Sequence, residues 1–579
     1  MQFHYNYNGF LNVYKEAGWT SMDVCAKLKR ITGVRKIGHA GTLDPMAEGV
    51  LPVAIGIATK NIDLIGGKVK EYRAGMLLGT VTDTEDITGN VTGRYTGELP
   101  GEEAVREAVM SFVGAYEQLT PMYSARKVNG RKLYEYARAG VEVERKTKPV
   151  SIYEIRIEEI SVPHVVFTVK CSRGTYIRSL CRDIGEKLGC GACMSSLLRT
   201  QVGDFRAEDA VRISDIEAAA DSGGLDSLLR VTAPTAVAIG KFDGAHIGHQ
   251  ALFRELRRAA ERDRLKTLVL ILRFGKSGIM SREDRKQKLA ELGIDYCIEL
   301  DFTDELKNMS AEDFLSQILI GRFNMKTIVA GKDVSFGRNK AGNAEFLHEH
   351  ASEYGYKVDL IDKVTAPGGM IRSESEQAGD TGEDPKKNSA DNASDRNCFE
   401  VSGEDHDTVD ISSTMLRGAI SKGDMELAAR LLGEPYSISG YVVHGKGIAS
   451  SKMKYPTMNI EVSDDLNLPP FGVYAVRACI YPADYRRSLK PGKEIRPREI
   501  VGIANLGERP TVNGSTEGGT RLRLEIHSFD DIGDCYESFV KTELCRFIRP
   551  EKRFSSVEEL TRQISGEDIP AVQKYFGRT

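Results

Sequence analysis

Nowhere along its 579 residues does this chain carry the roughly 18 consecutive apolar residues that a membrane-crossing helix needs. Its first residues, MQFHYNYNGF, lack the charged start and apolar core of a secretory signal. Both absences argue against a membrane partner. Cysteine is sparse: ten residues, scattered, make no disulfide framework. Cys190 and Cys193 form a lone CxxC with no second pair, which reads as packed or free thiols rather than a metal site. The expectation is a cytoplasmic protein with reduced thiols. A dominant charge is missing too, since the net charge is −4, but its distribution is uneven. Residues 1–210 hold 28 basic and 25 acidic side chains, and the stretch 370–410 holds 4 and 12. The mildly basic first third permits a nucleic-acid partner without requiring one.

What is present is globular: 41% hydrophobic and 28% charged residues, in a length that suits three or four domains at about 150 residues each. The stretch least expected from chance is Gly38–Pro45, GHAGTLDP, lying between the apolar runs FLNVY and VLPVAIGIA. A loop between buried segments can hold a reactive side chain among rigid neighbours, and the candidate is Asp44. Asp before Pro is also a common turn pair, and on this loop alone the turn reading stands.

Around it, Thr20-Ser21 opens a helix running to Ile31 and stopped by Gly33. Lys68–Gly79 and Phe167–Cys171 read as strands, and SRGTYIRSLCRDIGEKLG turns into a helix that Gly189 ends. Further on, the strand TAVAIG (Thr235–Gly240) leads through KFDGAHIGHQ into a helix. That geometry aims backbone N–H groups and a helix dipole at a phosphate. His246 and His249, three apart at the helix start, are placed to neutralise charge on a nucleotidyl phosphate. A metal pair or a surface pair is the bland alternative, and no third ligand lies nearby. Strands at LKTLVLIL, YCIEL and KTIVAG alternate with helical stretches, giving a Rossmann-like doubly wound α/β sheet. Residues 367–410 are too poor in apolar side chains to fold and read as a disordered insertion. From Tyr436 five alternating runs, YSISGYVVHG, YPTMNIEV, GVYAVRACI, EIVGIANLG and RLRLEIHSF, read as a small antiparallel barrel followed by a helix.

Three sets of blocks carry resemblances. GHAGTLDPMAEGVLPVAIGIATK, KEYRAGMLLGTVTDTEDITG, PMYSARKVNGRKLYEYARAG and CSRGTYIRSLCRDIGEKLGCGA, in that order, resemble the bacterial tRNA pseudouridine synthases that modify the T-loop uridine at position 55. The resemblance implies an α+β catalytic domain that isomerises this uridine in tRNA with Asp44 as nucleophile and no cofactor. A carboxylate nucleophile splits glycosidic bond cleavage and C–C bond formation into two easier steps. The uridine must be flipped out to be reached. The resemblance assigns Tyr72 as the stacking platform, Tyr176 and Arg178 as the pair positioning Asp44, His39 as a contact to the flipped nucleotide and Leu197 as an apolar wall. Arg178 is expected to keep Asp44 ionised. An RNA-binding accessory domain usually follows in this family; here about thirty residues lead straight into a different domain.

GKFDGAHIGH, VAGKDVSFGRNKAG and ISSTMLRGAI resemble the adenylyltransferase half of bacterial bifunctional riboflavin kinase/FAD synthetases. By that resemblance His246 and His249 bind ATP phosphates and Ser412, Ser413, Thr414 and Arg417 form a second phosphate loop. Asp333, Phe336 and Gly337 line the nucleotide or flavin site. Two departures are visible: LRFGKSG stands where the family has a T-F-x-P-H-P-like segment, and Met415 stands where an arginine is common. SISGYVVHGKGIASSKMKYPTMNI, GVYAVR, GIANLGERPT and LEIHSFDDIGDCY resemble the riboflavin kinase module of the same family. This implies riboflavin, FMN and ATP as ligands, with Gly445 and Gly447 admitting the ATP phosphates and Glu525 as general base. Thr457 and Asn459 carry the oxygens that Mg²⁺ prefers. The expected layout is a synthase domain (1–210), a linker (211–232), an adenylyltransferase domain (233–434) containing the insertion, and a kinase domain (435–579). A degenerate adenylyltransferase and a non-catalytic tRNA-binding first unit stay open as alternatives, and no pattern fixes an oligomeric state.

Overall fold

The computed structural model describes residues 7–367 apart from 125–126, 129, 140, 142 and 275–277. It then describes 408–443, 457–463, 466–483, 496–509 and 521–578 apart from 531, 534 and 553. Gly445, Gly447 and nearly all of the 367–410 insertion therefore lie outside the described residues. The chain forms two compact units: 1–234 with 322–324, and 235–321 with 325–579.

The first unit is built on one ten-stranded sheet. Its central strands are Gly9–Lys15, Glu48–Ile55, Ala192–Val202, Lys70–Leu78 and His164–Cys171, hydrogen-bonded in that order. Glu48–Ile55 is buried at every position from Gly49 to Ile55, consistent with a strand covered on both faces. The helix Ser21–Thr32 begins at a capping box, Thr20 with Asp23, and stops at Gly33 in the left-handed region, as the sequence indicated. The helix Ile177–Lys187 buries Ile177, Leu180, Cys181 and Ile184 against Met76, Phe167 and Val169 of the sheet. Residues 211–232, expected as a linker, are instead folded onto this unit. The helix Ile213–Asp221 and the strand Leu229–Arg230 belong to it, with Leu229 opposite Leu11 and Ile216, Leu225 and Leu229 buried. The few apolar residues of this stretch reach the sheet edge.

The second unit contains a parallel five-stranded sheet in the order Tyr296–Asp301, Lys266–Arg273, Thr235–Gly240, Met325–Gly331, Lys357–Ile361. It also contains a closed six-stranded antiparallel barrel. Five barrel strands match the alternating runs read from the sequence; the sixth, Phe539–Pro550, closes the barrel between Ser437–Val443 and Gly472–Tyr481. The helices Ser413–Lys422 and Met425–Leu432 share one core with the barrel: Leu416, Ile420 and Leu431 pack with Ile438, Met458 and Tyr474. The base of the polar insertion is a two-stranded ribbon, with Pro367 opposite Thr408.

Candidate active sites

Asp44 sits in the loop between the strands Ile37–His39 and Glu48–Ile55, and three buried side chains fix that loop through its backbone. Arg199, fully buried, donates to the carbonyls of Val50 (2.7 Å), Gly41 (3.2 Å) and Thr42 (3.3 Å). Ser21 accepts from Leu43 N–H and donates to its carbonyl. Lys15, also fully buried, donates to the carbonyls of Ala47 (2.6 Å) and Pro45 (3.2 Å). Carbonyls on both sides of Asp44 are thus held in place. Gly41 adopts φ +104° beside the Arg199 guanidinium, where a side chain would be strained. Replacing Arg199 by Met would strand these carbonyls, at about 1–3 kcal/mol each. We expect hydrogen-exchange protection of the 40–55 amides to fall by about 3 kcal/mol or more; a change below about 1 kcal/mol would show that the arginine is dispensable to the loop.

Arg178, in the first turn of its helix, places Nε 2.9 Å from Asp44 Oδ2. The remaining nitrogens reach Asp86 Oδ2 (3.5 Å) and the carbonyls of Thr84 and Tyr123 (3.0 Å each). Arg178 and Asp86 side chains are 6% exposed, whereas Asp44 is 35% exposed and opens into a cleft of about 590 Å³. His39, Tyr72, Tyr176, Arg178 and Leu197 all line that cleft with Asp44, so the structure brings together every residue proposed for the first site. Tyr176 owes its place to Gln118, which the sequence reading missed: the buried amide accepts from Tyr176 N–H (2.8 Å) and donates to its carbonyl (3.0 Å). Burial lifts the Asp44 carboxyl above the ordinary aspartate value; Arg178 draws it back, Asp86 raises it further and Lys15 lowers it. The net direction is up, so the guanidinium offsets only part of the cost of burial, less than the sequence reading expected. Burial raises the Tyr72 phenol to about 12, so its ring is neutral near pH 7. Burial lowers His39, with Arg199 adding to the effect, and its Nδ1 is buried without a hydrogen bond. Lys70, on the same cleft, is brought down to about 8 by burial and by Arg199.

In the second unit, His246 caps the helix Ile247–Asp263, accepting from His249 N–H through Nδ1 at 3.4 Å. Its ring stacks on that of His249 with centroids 3.6 Å apart. Its Nε2 lies 3.3 Å from Ser413 Oγ, so the two expected phosphate loops meet. Ser412 caps the helix that follows, Thr414 is exposed, and Arg417 is ion-paired with Asp243, which also accepts from Ile279 N–H. Burial lowers His246 to about 4 and His249 to about 3. Without a phosphate beside them, both imidazoles are therefore neutral near pH 7. Phe336 packs in a core with Phe314 and Phe346, Gly337 lies against Ala311, and Asp333 pairs with Lys363 at 3.4 Å. Among the described residues no hydrogen bond, ion pair or ring contact joins these three to His246 or Ser413.

On the barrel, Thr457 and Asn459 lie on the face opposite to the buried Met458 and Ile460. Asn459 is directly across from Glu525, and Glu525 is directly across from Asn505 on the next strand. Thr457 is opposite His527. The predicted trio thus forms one patch, extended by Asn505 and His527. The sequence offered a signal for both, because each lies within a recognised block. Asn459 Oδ1 is buried with no hydrogen-bond partner.

Family models match along the chain in order. They are the TruB family pseudouridylate synthase N-terminal domain (residues 29–177), the tRNA pseudouridylate synthase B C-terminal domain (178–236), FAD synthetase (229–375) and riboflavin kinase (432–576). The second covers the stretch in which the sequence reading found only a thirty-residue bridge. The tRNA pseudouridine synthase B of Lachnoclostridium phytofermentans is 55% identical over 230 residues, covering 38% of this chain and 75% of that protein. That of Clostridium tetani is 46% identical over 209 residues, covering 36% and 72%. A solved structure named as a macrolide-efflux protein from Streptococcus pneumoniae covers 58% of this chain and 94% of its own at 26% identity, with a TM-score of 0.42. The four domain matches in register, and relatives covered over more than two thirds of their length, place the chain in the tRNA pseudouridine synthase B family, with FAD synthetase and riboflavin kinase domains joined to the synthase part.

Proposed function

We propose that the first unit isomerises the T-loop uridine at position 55 of tRNA to pseudouridine with Asp44 as the nucleophile. The observation that carries this reading is the Asp44–Arg178 pair, at 2.9 Å, lining a cleft of about 590 Å³. Asp44 attacks the flipped nucleotide and later leaves it; Arg178 holds the attacking oxygen in one orientation; Tyr72 and Leu197 flank the base; Lys70 and Arg173 offer charge to its phosphates. The rigid backbone around Asp44 supports this role, because a nucleophile held before the substrate arrives loses little freedom on reaction.

The second unit, in the same reading, phosphorylates riboflavin to FMN with ATP and adenylylates FMN to FAD. Glu525 accepts the proton of the ribityl hydroxyl. The unsatisfied Asn459 Oδ1, two residues along the same strand face from Thr457 and across from Glu525, suits a hard divalent ion. Mg²⁺ held there would neutralise charge on the transferring phosphate. The Nε2 of His246, with Ser413, forms the phosphate contact for adenylyl transfer. The protein acts in the cytoplasm, where tRNA and ATP are both available.

Incubation of the purified protein with an unmodified T-arm RNA, followed by nuclease digestion and nucleoside chromatography, tests the first activity. Incubation with riboflavin, ATP and Mg²⁺, followed by separation of the flavins, tests the others. Pseudouridine at the T-loop position and the successive appearance of FMN and FAD are expected. FMN without FAD would mean that the departures at LRFGKSG and Met415 have removed the transfer step.

A further inference from the structure

Two consecutive acidic residues, Glu85 and Asp86, face two arginines one helical turn apart, Arg178 and Arg182. Asp86 takes Arg178, which addresses Asp44. Glu85 takes Arg182 and, through its other oxygen, the hydroxyl of Ser179 at 2.6 Å. Arg145 also approaches Glu85, at 3.6 Å. The second clasp touches neither Asp44 nor the nucleotide cleft; it borders a separate cleft of about 250 Å³ with Arg145 and Glu186. Yet each of its members is the chain neighbour, or the next-turn neighbour, of a member of the first.

The backbone of Glu85 supports a specific purpose. It has φ +65°, in the left-handed region that a residue with a Cβ occupies only when its surroundings hold it there. The surroundings do so: Glu85 carbonyl accepts from Met194 N–H, Ile87 N–H donates to Met194 carbonyl, and the side chain is anchored to the helix. This strained residue sets the direction in which the next one, Asp86, leaves the chain. The same arrangement ties down both ends of the segment between Leu119 and Arg145. Arg182 reaches the carbonyl of Leu119 (3.4 Å), Arg178 reaches that of Tyr123 (3.0 Å), and Arg145 reaches Glu85.

We propose that Glu85 is a positioning residue for the nucleophile: its clasp on Ser179 and Arg182 fixes Asp86, and through Asp86 fixes the Arg178 guanidinium against Asp44. This rests on the reading of Asp44 as nucleophile. The groups acting on Asp44 are Arg178 from the helix, Asp86 from the loop after Thr80–Thr82, Lys15 from the first strand, Arg199 from the strand Ala192–Val202 and Tyr72 from the strand Lys70–Leu78. Glu85 is not among them, so its influence on Asp44 is exerted through placement.

The test is Glu85→Gln, which keeps the shape and a partner for Ser179 while removing the charge that holds Arg182. Arg182 retains Asp183 at 2.6 Å, so the fold has a replacement ion pair. Single-turnover pseudouridine formation on the T-arm RNA is measured across pH, with Ser179→Ala as a second variant that leaves every charge in place. Expected are a fall in rate of at least tenfold, RNA affinity within twofold, and an acid limb moved to higher pH, because a looser Arg178 stabilises the Asp44 carboxylate less. A direct field effect would move the limb the other way, since removing a negative charge favours a carboxylate. An unchanged rate, an unmoved limb or a limb moved to lower pH would overturn the proposal. Asp44→Asn is run in parallel: activity there would sink the nucleophile reading itself, whereas an inactive Asp44→Asn with an unaltered Glu85→Gln sinks only the positioning role.

Discussion

Replacing Arg178 by Gln is expected to cut pseudouridine formation by at least a hundredfold and to destabilise the first unit by about 3–5 kcal/mol at neutral pH, the range for removing one partner of a buried ion pair. Two carboxylates lose their common cation, and the carbonyls of Thr84 and Tyr123 lose their donor. The loss should itself depend on pH, and its sign follows from linkage. A carboxyl whose folded-state pKa is raised above its unfolded value costs its full stability above the folded pKa, and that cost shrinks as pH falls through the folded pKa and is gone below the unfolded pKa. Asp44 is already shifted upward with the guanidinium in place, and removing the guanidinium shifts it further. The variant should therefore recover part of its stability on acidification, measured as urea midpoints at pH 7 and pH 5. A uniform loss at both values would mean that Arg178 acts only through its hydrogen bonds to backbone.

Glu525→Gln is expected to lower FMN formation by about 10²–10⁴-fold, the usual contribution of a positioned general base. The amide preserves shape and register, so Asn459 and Asn505 keep their cross-strand neighbour. Mg²⁺ titration separates two roles for the carboxylate. A proton acceptor loses turnover with an unchanged metal requirement, whereas a metal ligand loses turnover that excess Mg²⁺ restores. Pseudouridine formation by the same preparation should be unaffected, which certifies the first unit, and an unchanged urea midpoint of the second unit certifies that the barrel is folded. FMN formation at the unsubstituted rate would remove Glu525 from the mechanism.

Much of this molecule could be read from residue order, and the reason is local. Gly33 ends its helix by adopting the left-handed conformation, a property of glycine itself, and Thr235–Gly240 is a strand to the residue because a short β-branched apolar run admits little else. The first site was legible because Asp44, Tyr72, Tyr176 and Arg178 lie in blocks whose order fixed their register. What escaped was non-local. Arg199 and Lys15 look like surface cations in sequence; their partners are backbone carbonyls 30 to 160 residues away, which no periodicity reports. Glu85 reads as one more acid in a polar turn until its partners on the helix are known. Phe336 was read from its block as lining a ligand site, and the structure adds that its ring packs with Phe314 and Phe346, contacts that the local sequence does not report. The barrel's sixth strand was missed because its inward positions include the polar Thr542 and its outward ones the apolar Cys545, which blurs in sequence an alternation that the structure shows over Val540–Cys545.

The account depends most on one carboxylate. Asp44→Asn preserves size, leaves Arg178 its contacts with Asp86, Thr84 and Tyr123, and removes a charge whose burial costs stability at neutral pH. The decisive measurement is the pseudouridine content of T-arm RNA after prolonged incubation with stoichiometric Asp44→Asn protein, alongside its urea midpoint. The account predicts no pseudouridine and a midpoint equal to or above that of the unsubstituted chain. Pseudouridine formed by this variant would contradict it.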